Sequence, residues 1–158
     1  PGGRPWGGPH GNVAPGHGIG AVAGAPRAVT GAEGENGMRI SYVNIFVSDL
    51  PRATEFYRDK LGLPLQFSSP EHGYASFSAG DVRLGVAVPR PDQAPFVGRH
   101  TGVGFDVPDL AAEHARLSGL GVRFTTPPTR QAWGGFMAMF ADADGNVFYL
   151  DQVSAAHG

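Results

Sequence analysis

The stretch YVNIFVSDL, Tyr42 to Leu50, returns sixty residues later as GVGFDVPDL, Gly102 to Leu110, with Val43, Val47, Asp49 and Leu50 matched by Val103, Val107, Asp109 and Leu110. A repeated unit this small cannot bury its apolar face alone, so the two copies must share a core. Each copy opens on a run rich in β-branched and aromatic residues, Ile40 to Val47 and Thr101 to Val107. Both read as strands, the first buried on both faces. Ser48 or Asp49 can accept an orphan backbone N–H at a helix start, Pro51 suits a first turn, and Pro108-Asp109 starts a second helix. Leu50, Ala53, Phe56, Tyr57 and Leu61 then make a helical stripe ending at Gly62, and Leu110, Ala111, His114 and Leu117 make another ending at Gly119 and Gly121.

Three short strands complete each copy. In the first they span Leu65 to Ser69, Tyr74 to Ala79 and Val82 to Val88, the last two meeting at a Gly80-Asp81 turn. In the second they span Val122 to Thr126, Phe136 to Ala141 and Val147 to Gln152, with PPTRQAWGG as a loop and DADGN as a hairpin turn. DADGN starts like an EF-hand loop, but the remaining ligands and the closing Glu are missing. The fold class is therefore α+β: two tandem βαβββ modules forming a curled mixed sheet around a cleft, with the helices on the outer face. The modules cover residues 38–89 and 100–153, joined by a linker at 90–99.

Residues 1–37 hold 12 of the 25 glycines and 5 of the 14 prolines and keep no period of 2 or 3.6. Few large apolar groups are there to offset the entropy of ordering, so the segment reads as a disordered tail. Met38 then reads as the natural start, residues 154–158 as a short second tail, and His10 and His17 as solvated. IGAVAGAPRAV resembles a secretory apolar region only faintly, being Ala/Gly-rich and broken by proline. The net charge of −2 and the lack of a Lys/Arg stripe argue against a nucleic-acid partner. The absence of cysteine excludes disulfides and thiolate metal sites and fits a cytoplasmic setting. No apolar run approaches the ~20 residues that span a bilayer.

The segments NIFVSDLPRATEFYRDKLGL, FSAGDVRLGVAV, VGFDVPDLAAEHARLSGLGV and WGGFMAMFADADGNVFYLDQ together resemble the vicinal-oxygen-chelate superfamily. That superfamily includes glyoxalase I, extradiol dioxygenases, fosfomycin-modifying enzymes and bleomycin-resistance proteins, and the likeness runs over nearly all of Met38 to Gln152. It implies a vicinal-oxygen-chelate domain at 38–153. In the metal enzymes of the family a divalent ion sits in the cleft. Its ligands typically lie seven residues before the Asp of the "SDL" motif, on the fourth strand, and at the equivalent places in the second module. Here those positions are Tyr42, Gly85, Gly102 and Tyr149. Two glycines offer no side chain and a phenol is a poor ligand beside His or Glu, so neither a metal nor another cofactor is expected.

Strand alternation names the cleft-facing residues: Tyr42, Asn44 and Phe46; Arg83, Gly85 and Ala87; Gly102, Gly104 and Asp106; Val147, Tyr149 and Asp151. Val43, Ile45 and Val47 should face a helix. Trp133 joins from the loop before the seventh strand, and Phe96 and His100 from the inter-module loop. Gly85, Gly102 and Gly104 leave room, or else mark bulges or close backbone approach. The aromatic residues offer flat faces and Asn44, Arg83, Asp106 and Asp151 a few directional contacts, with Arg83 and Asp151 alternatively forming an ion pair. This set suits a small aromatic or polycyclic ligand, bound for resistance or sequestration, as in the bleomycin-resistance subgroup, by a protein that the family implies is a homodimer. An enzymatic alternative is a lyase, isomerase or dioxygenase-like protein, metal-independent or with a displaced metal. It would use Tyr42 or Tyr149 as acid and Asp151 or His100 as base. A third reading is an adaptor whose cleft is filled.

Overall fold

The computed structural model describes residues 34–153. Apart from 34–37, the expected N-terminal tail lies outside the described residues, with His10 and His17, and so does the short tail at 154–158. The first module runs β1 (Tyr42–Phe46), α1 (Leu50–Glu55), β2 (Leu65–Ser69), β3 (Tyr74–Ala79) and β4 (Val82–Ala87). The second runs β5 (His100–Val107), α2 (Leu110–Gly119), β6 (Arg123–Arg130), β7 (Phe136–Ala141) and β8 (Val147–Gln152). The architecture is α+β, with two four-stranded mixed sheets in the orders β1-β4-β3-β2 and β5-β8-β7-β6. β1 is parallel to β4 and β5 to β8, and the remaining pairs are antiparallel.

The repeated Asp is the helix cap in both modules. Asp49 accepts from Arg52 N at 3.0 Å, and Asp109 accepts from Ala112 N at 3.0 Å. The apolar faces of both sheets and both helices merge in one core, where Ile45, Val47, Phe77 and Leu84 meet Leu110, Phe140, Phe148 and Leu150.

Four local expectations change. β1 begins at Tyr42 rather than Ile40, which is 68% exposed, and only Ile45 within it is buried, so the strand is not covered on both faces. α1 stops at Glu55 and continues as a π-helical turn over Phe56–Lys60, where Leu61 N donates to Phe56 O at 3.0 Å. The wider turn lets the consecutive Phe56 and Tyr57 both reach the core. β6 extends through Pro127 and Pro128 to Arg130, because it is an edge strand whose outer side needs no N–H donors. Ala111 is exposed, and His114 is half-buried with its ring edge-on to Phe124 at 4.5 Å.

The DADGN turn, Asp142 to Asn146, fastens one module to the other. The Asn146 amide donates to Phe46 O at the end of β1 and to Asp142 Oδ2, both at 2.9 Å. Its Oδ1 accepts from Gly98 N at 2.8 Å and Arg99 N at 3.2 Å. Asp142 Oδ2 also accepts from the Tyr57 hydroxyl at 2.6 Å, and burial followed by Asp142 pushes that phenol well above its usual range. Asp144 accepts from Ser48 N and Oγ and pairs with Arg52 at 3.2 Å. Removing a partner from a buried hydrogen bond costs about 1–3 kcal/mol per stranded group. Tyr57→Phe should therefore lose about that much in urea denaturation. Asn146→Asp, which sets a second carboxylate against Asp142 and removes two donors, should lose more than Tyr57→Phe.

Candidate functional site: the cleft between β1 and β5

β1 and β5 are the facing edges of the two sheets, and no ladder joins them. A cleft of about 500 Å³ lies along them. Phe46 and Phe96 supply an aromatic wall, their rings 5.3 Å apart and tilted by 48°. Val43, Ile45 and Val103 add apolar surface, and Asn44, Arg99 and His100 add polar groups. The His100 ring stands edge-on to Tyr149 at 5.0 Å, and its Nδ1 accepts from Gly102 N at 3.1 Å. The fastening residue Asn146 also lines the cleft, so the contact that joins the modules shapes its wall.

Asn44, Phe46, Phe96 and His100 thus gather at the cleft, with Tyr149 behind His100. Val43 and Ile45, expected to face only a helix, line it too, because an edge strand exposes its flank. Tyr42 and Arg83 pair across β1 and β4, with the guanidinium 5.5 Å over the phenol ring. No ion pair joins Arg83 to Asp151 among the described residues. Trp133 is 68% exposed and folds over Gly135 in its own loop.

The strand glycines serve different ends. Gly102 has φ +73° at a break in the β5–β8 register, a conformation that favours glycine, with open space where a side chain would point. Gly104 has ordinary clearance: a Cβ added there would lie 3.5 Å from Tyr149 Cβ and 3.9 Å from Asp151 Oδ2. Gly85 is the close-approach case, since a Cβ there would overlap Asn44 Oδ1 and lie 2.8 Å from the Tyr74 hydroxyl. The room that Gly85 leaves is taken by the protein's own side chains.

Several further residues stand on these faces beyond those that the sequence pattern singles out. Ser76 is opposite Gly85, Met139 opposite Tyr149 and Met137 opposite Asp151. The alternation that names their partners also reaches them once it is carried across to β3 and β7. Tyr74 and Ser76 are buried, and burial pushes the Tyr74 phenol up while Ser76 and Arg83 pull it back. Ser76 is close enough to influence Tyr74, yet its Oγ makes no geometrically sound hydrogen bond, and Asn44 Oδ1 is buried without a partner as well. Asp151 faces Asp106 across β5 and β8 and has a buried, unpartnered Oδ1. Burial, then Asp106, raises its carboxyl above the usual range.

Residues 39–150 match the profile of the Glyoxalase/Bleomycin resistance protein/Dioxygenase superfamily. The chain belongs to this superfamily. The Bacillus subtilis uncharacterized protein YraH is 28% identical over 125 residues, covering 72% of this chain and 97% of its own. The crystal structure of TnmS3, an antibiotic binding protein from Streptomyces, is 32% identical with a TM-score of 0.63, covering 73% of this chain and 96% of that one. A superfamily member from Sphaerobacter thermophilus is 27% identical with a TM-score of 0.61, covering 73% and 97%.

The resemblance implies that the four ligand positions of the metal enzymes fall at Tyr42, Gly85, Gly102 and Tyr149. That donor set does not fit a divalent ion: Gly85 and Gly102 bring no ligand, and the Arg83 cation sits over Tyr42. Among the described residues no group of three or more His, Cys, Asp or Glu side chains is arranged to hold a metal. The glycines give a direct check. Gly85→Ala should lose about 1–3 kcal/mol in thermal unfolding because Asn44 and Tyr74 must shift, whereas Gly104→Ala should fold with a stability near that of the native chain.

Proposed function

We propose that this protein binds a small aromatic or polycyclic molecule in the β1–β5 cleft, without a catalytic metal, as a resistance or sequestration protein. The observation that carries the reading is the wall of Phe46 and Phe96 facing an open volume of about 500 Å³, with Asn44, Arg99 and His100 as sparse polar groups. Sites for small organic ligands have this size and this balance of apolar to polar lining. TnmS3, similar over most of the chain, is named for antibiotic binding. We propose further that the protein works as a homodimer. Met38, Ile40 and Tyr42 are exposed by 73%, 68% and 41% at alternate positions, an apolar strip leading into β1 that a second copy would cover.

Calorimetry against anthraquinone-type, bleomycin-type and polyketide ligands, on samples that scatter light as a dimer, should give a Kd in the micromolar range or tighter. Phe96→Ala should weaken it by about tenfold, the worth of one aromatic contact near 1.4 kcal/mol. Failure of every such ligand to bind would end the binding reading.

A second, enzymatic reading draws on Asp151, whose raised carboxyl beside Asp106 suits proton transfer, with Tyr149 on the same strand as acid. On this reading Asp151→Asn abolishes turnover. The variant has a stability signature in either case. A carboxyl raised in the folded state carries a charge penalty that is present above its folded pKa and is relieved as pH falls to the unfolded value. Asp151→Asn should therefore be slightly more stable than the native chain at pH 7 and lose that advantage towards pH 4, as followed by denaturant melts across pH.

A further inference from the structure

His100 occupies a defined place in the cleft. Its ring lines the cavity and is braced edge-on by Tyr149 at 5.0 Å. Its Nδ1 accepts a hydrogen bond from Gly102 N at 3.1 Å. That bond depends on a bend in the chain: Gly102 has φ +73°, β5 slips register against β8 between His100 and Gly104, and the backbone turns its N–H back onto the imidazole. Thr101 supports the bend, its hydroxyl donating to Val147 O at 2.8 Å and accepting from Val103 N at 3.0 Å.

A ring nitrogen that accepts a backbone N–H carries no proton, so in the neutral imidazole the proton resides on Nε2. Nε2 has no protein partner among the described residues. We propose that His100 is held as the Nε2–H tautomer and presents this N–H to the ligand as a hydrogen-bond donor, which selects ligands bearing a carbonyl or quinone oxygen at the edge of the aromatic system. Gly102 is then a positioning residue. This assignment rests on the cleft being the binding site, and it gives His100 the role of donor in place of base. It also gives Gly102 a use: the backbone N–H there orients an imidazole two residues away.

The test uses the full chain and two probes that differ only in the oxygens, anthraquinone-2-sulfonate and anthracene-2-sulfonate, titrated by calorimetry. The native protein should bind the quinone about tenfold more tightly. His100→Phe keeps an aromatic ring and removes the donor, so it should bring the two affinities within about twofold of each other. Equal binding of both probes by the native protein, or a preference that survives in His100→Phe, overturns the His100 assignment and leaves the cleft intact as a binding site. Binding of neither probe overturns the assignment, and the cleft reading falls with it when the bleomycin-type and polyketide ligands fail as well. Nitrogen-15 NMR of the imidazole gives a readout without ligand. The native chain should show a proton on Nε2 and none on Nδ1, and Gly102→Ala, strained at positive φ, should lose this preference. A native Nδ1–H signal sinks the proposal even if Gly102→Ala fails to fold.

Discussion

The cleft depends on one side chain that reaches in four directions. Asn146 is 1% exposed and has both amide protons and both carbonyl lone pairs engaged, across β1, the linker and its own turn. The two sheets share no ladder, so backbone pairing does not fix their relative position. The shared apolar core draws the modules together, but apolar contact is non-directional and tolerates sliding. The directional part comes from the DADGN turn, where Asn146 holds the end of β1 and Asp142 and Asp144 hold the first helix and its lead-in. The facing edges of β1 and β5 are thereby set apart at a distance that leaves space for a ligand.

This arrangement explains why the repeat is imperfect. The Asp that caps each helix must recur because each helix needs the same donor satisfied, and Asp49 and Asp109 do so with the same geometry. The fastening turn exists only in the second module, since a single turn serves both. In the first module the corresponding strands meet at Gly80-Asp81. The residues at the cleft also diverge, because nothing in the fold requires its two halves to match.

The strands and their faces were legible in the sequence because alternation is a local signal. β2, β3, β7 and β8 lie where the pattern put them. The boundaries that moved did so for non-local reasons. The π turn follows from the need to bury both Phe56 and Tyr57, and Tyr57 is drawn by Asp142, 85 residues away in sequence. β6 runs through two prolines because it lies at a sheet edge, and edge position is a property of the assembled sheet. For the site, Asn44, Phe46, Phe96 and His100 were legible as neighbours of one cavity, but its place between two strand edges depends on how the modules dock. The occupied space over Gly85 was hidden too, since it takes Tyr74 reaching across from β3.

The same glycine can mean space, strain or contact, and here the three meanings divide between Gly104, Gly102 and Gly85. That division decides what each bare strand position does for its surroundings. A bare strand position can stay open or lend its space to a neighbour. At Gly85 the hole is closed by Tyr74 and Asn44, and at Gly102 the backbone is bent so that its N–H meets His100. Both positions thereby bear on a neighbouring side chain, Tyr74 and Asn44 in one case and His100 in the other. On the binding reading proposed above, a flat ligand gains little from a point charge and much from the aromatic wall of Phe46 and Phe96 with His100 beside it.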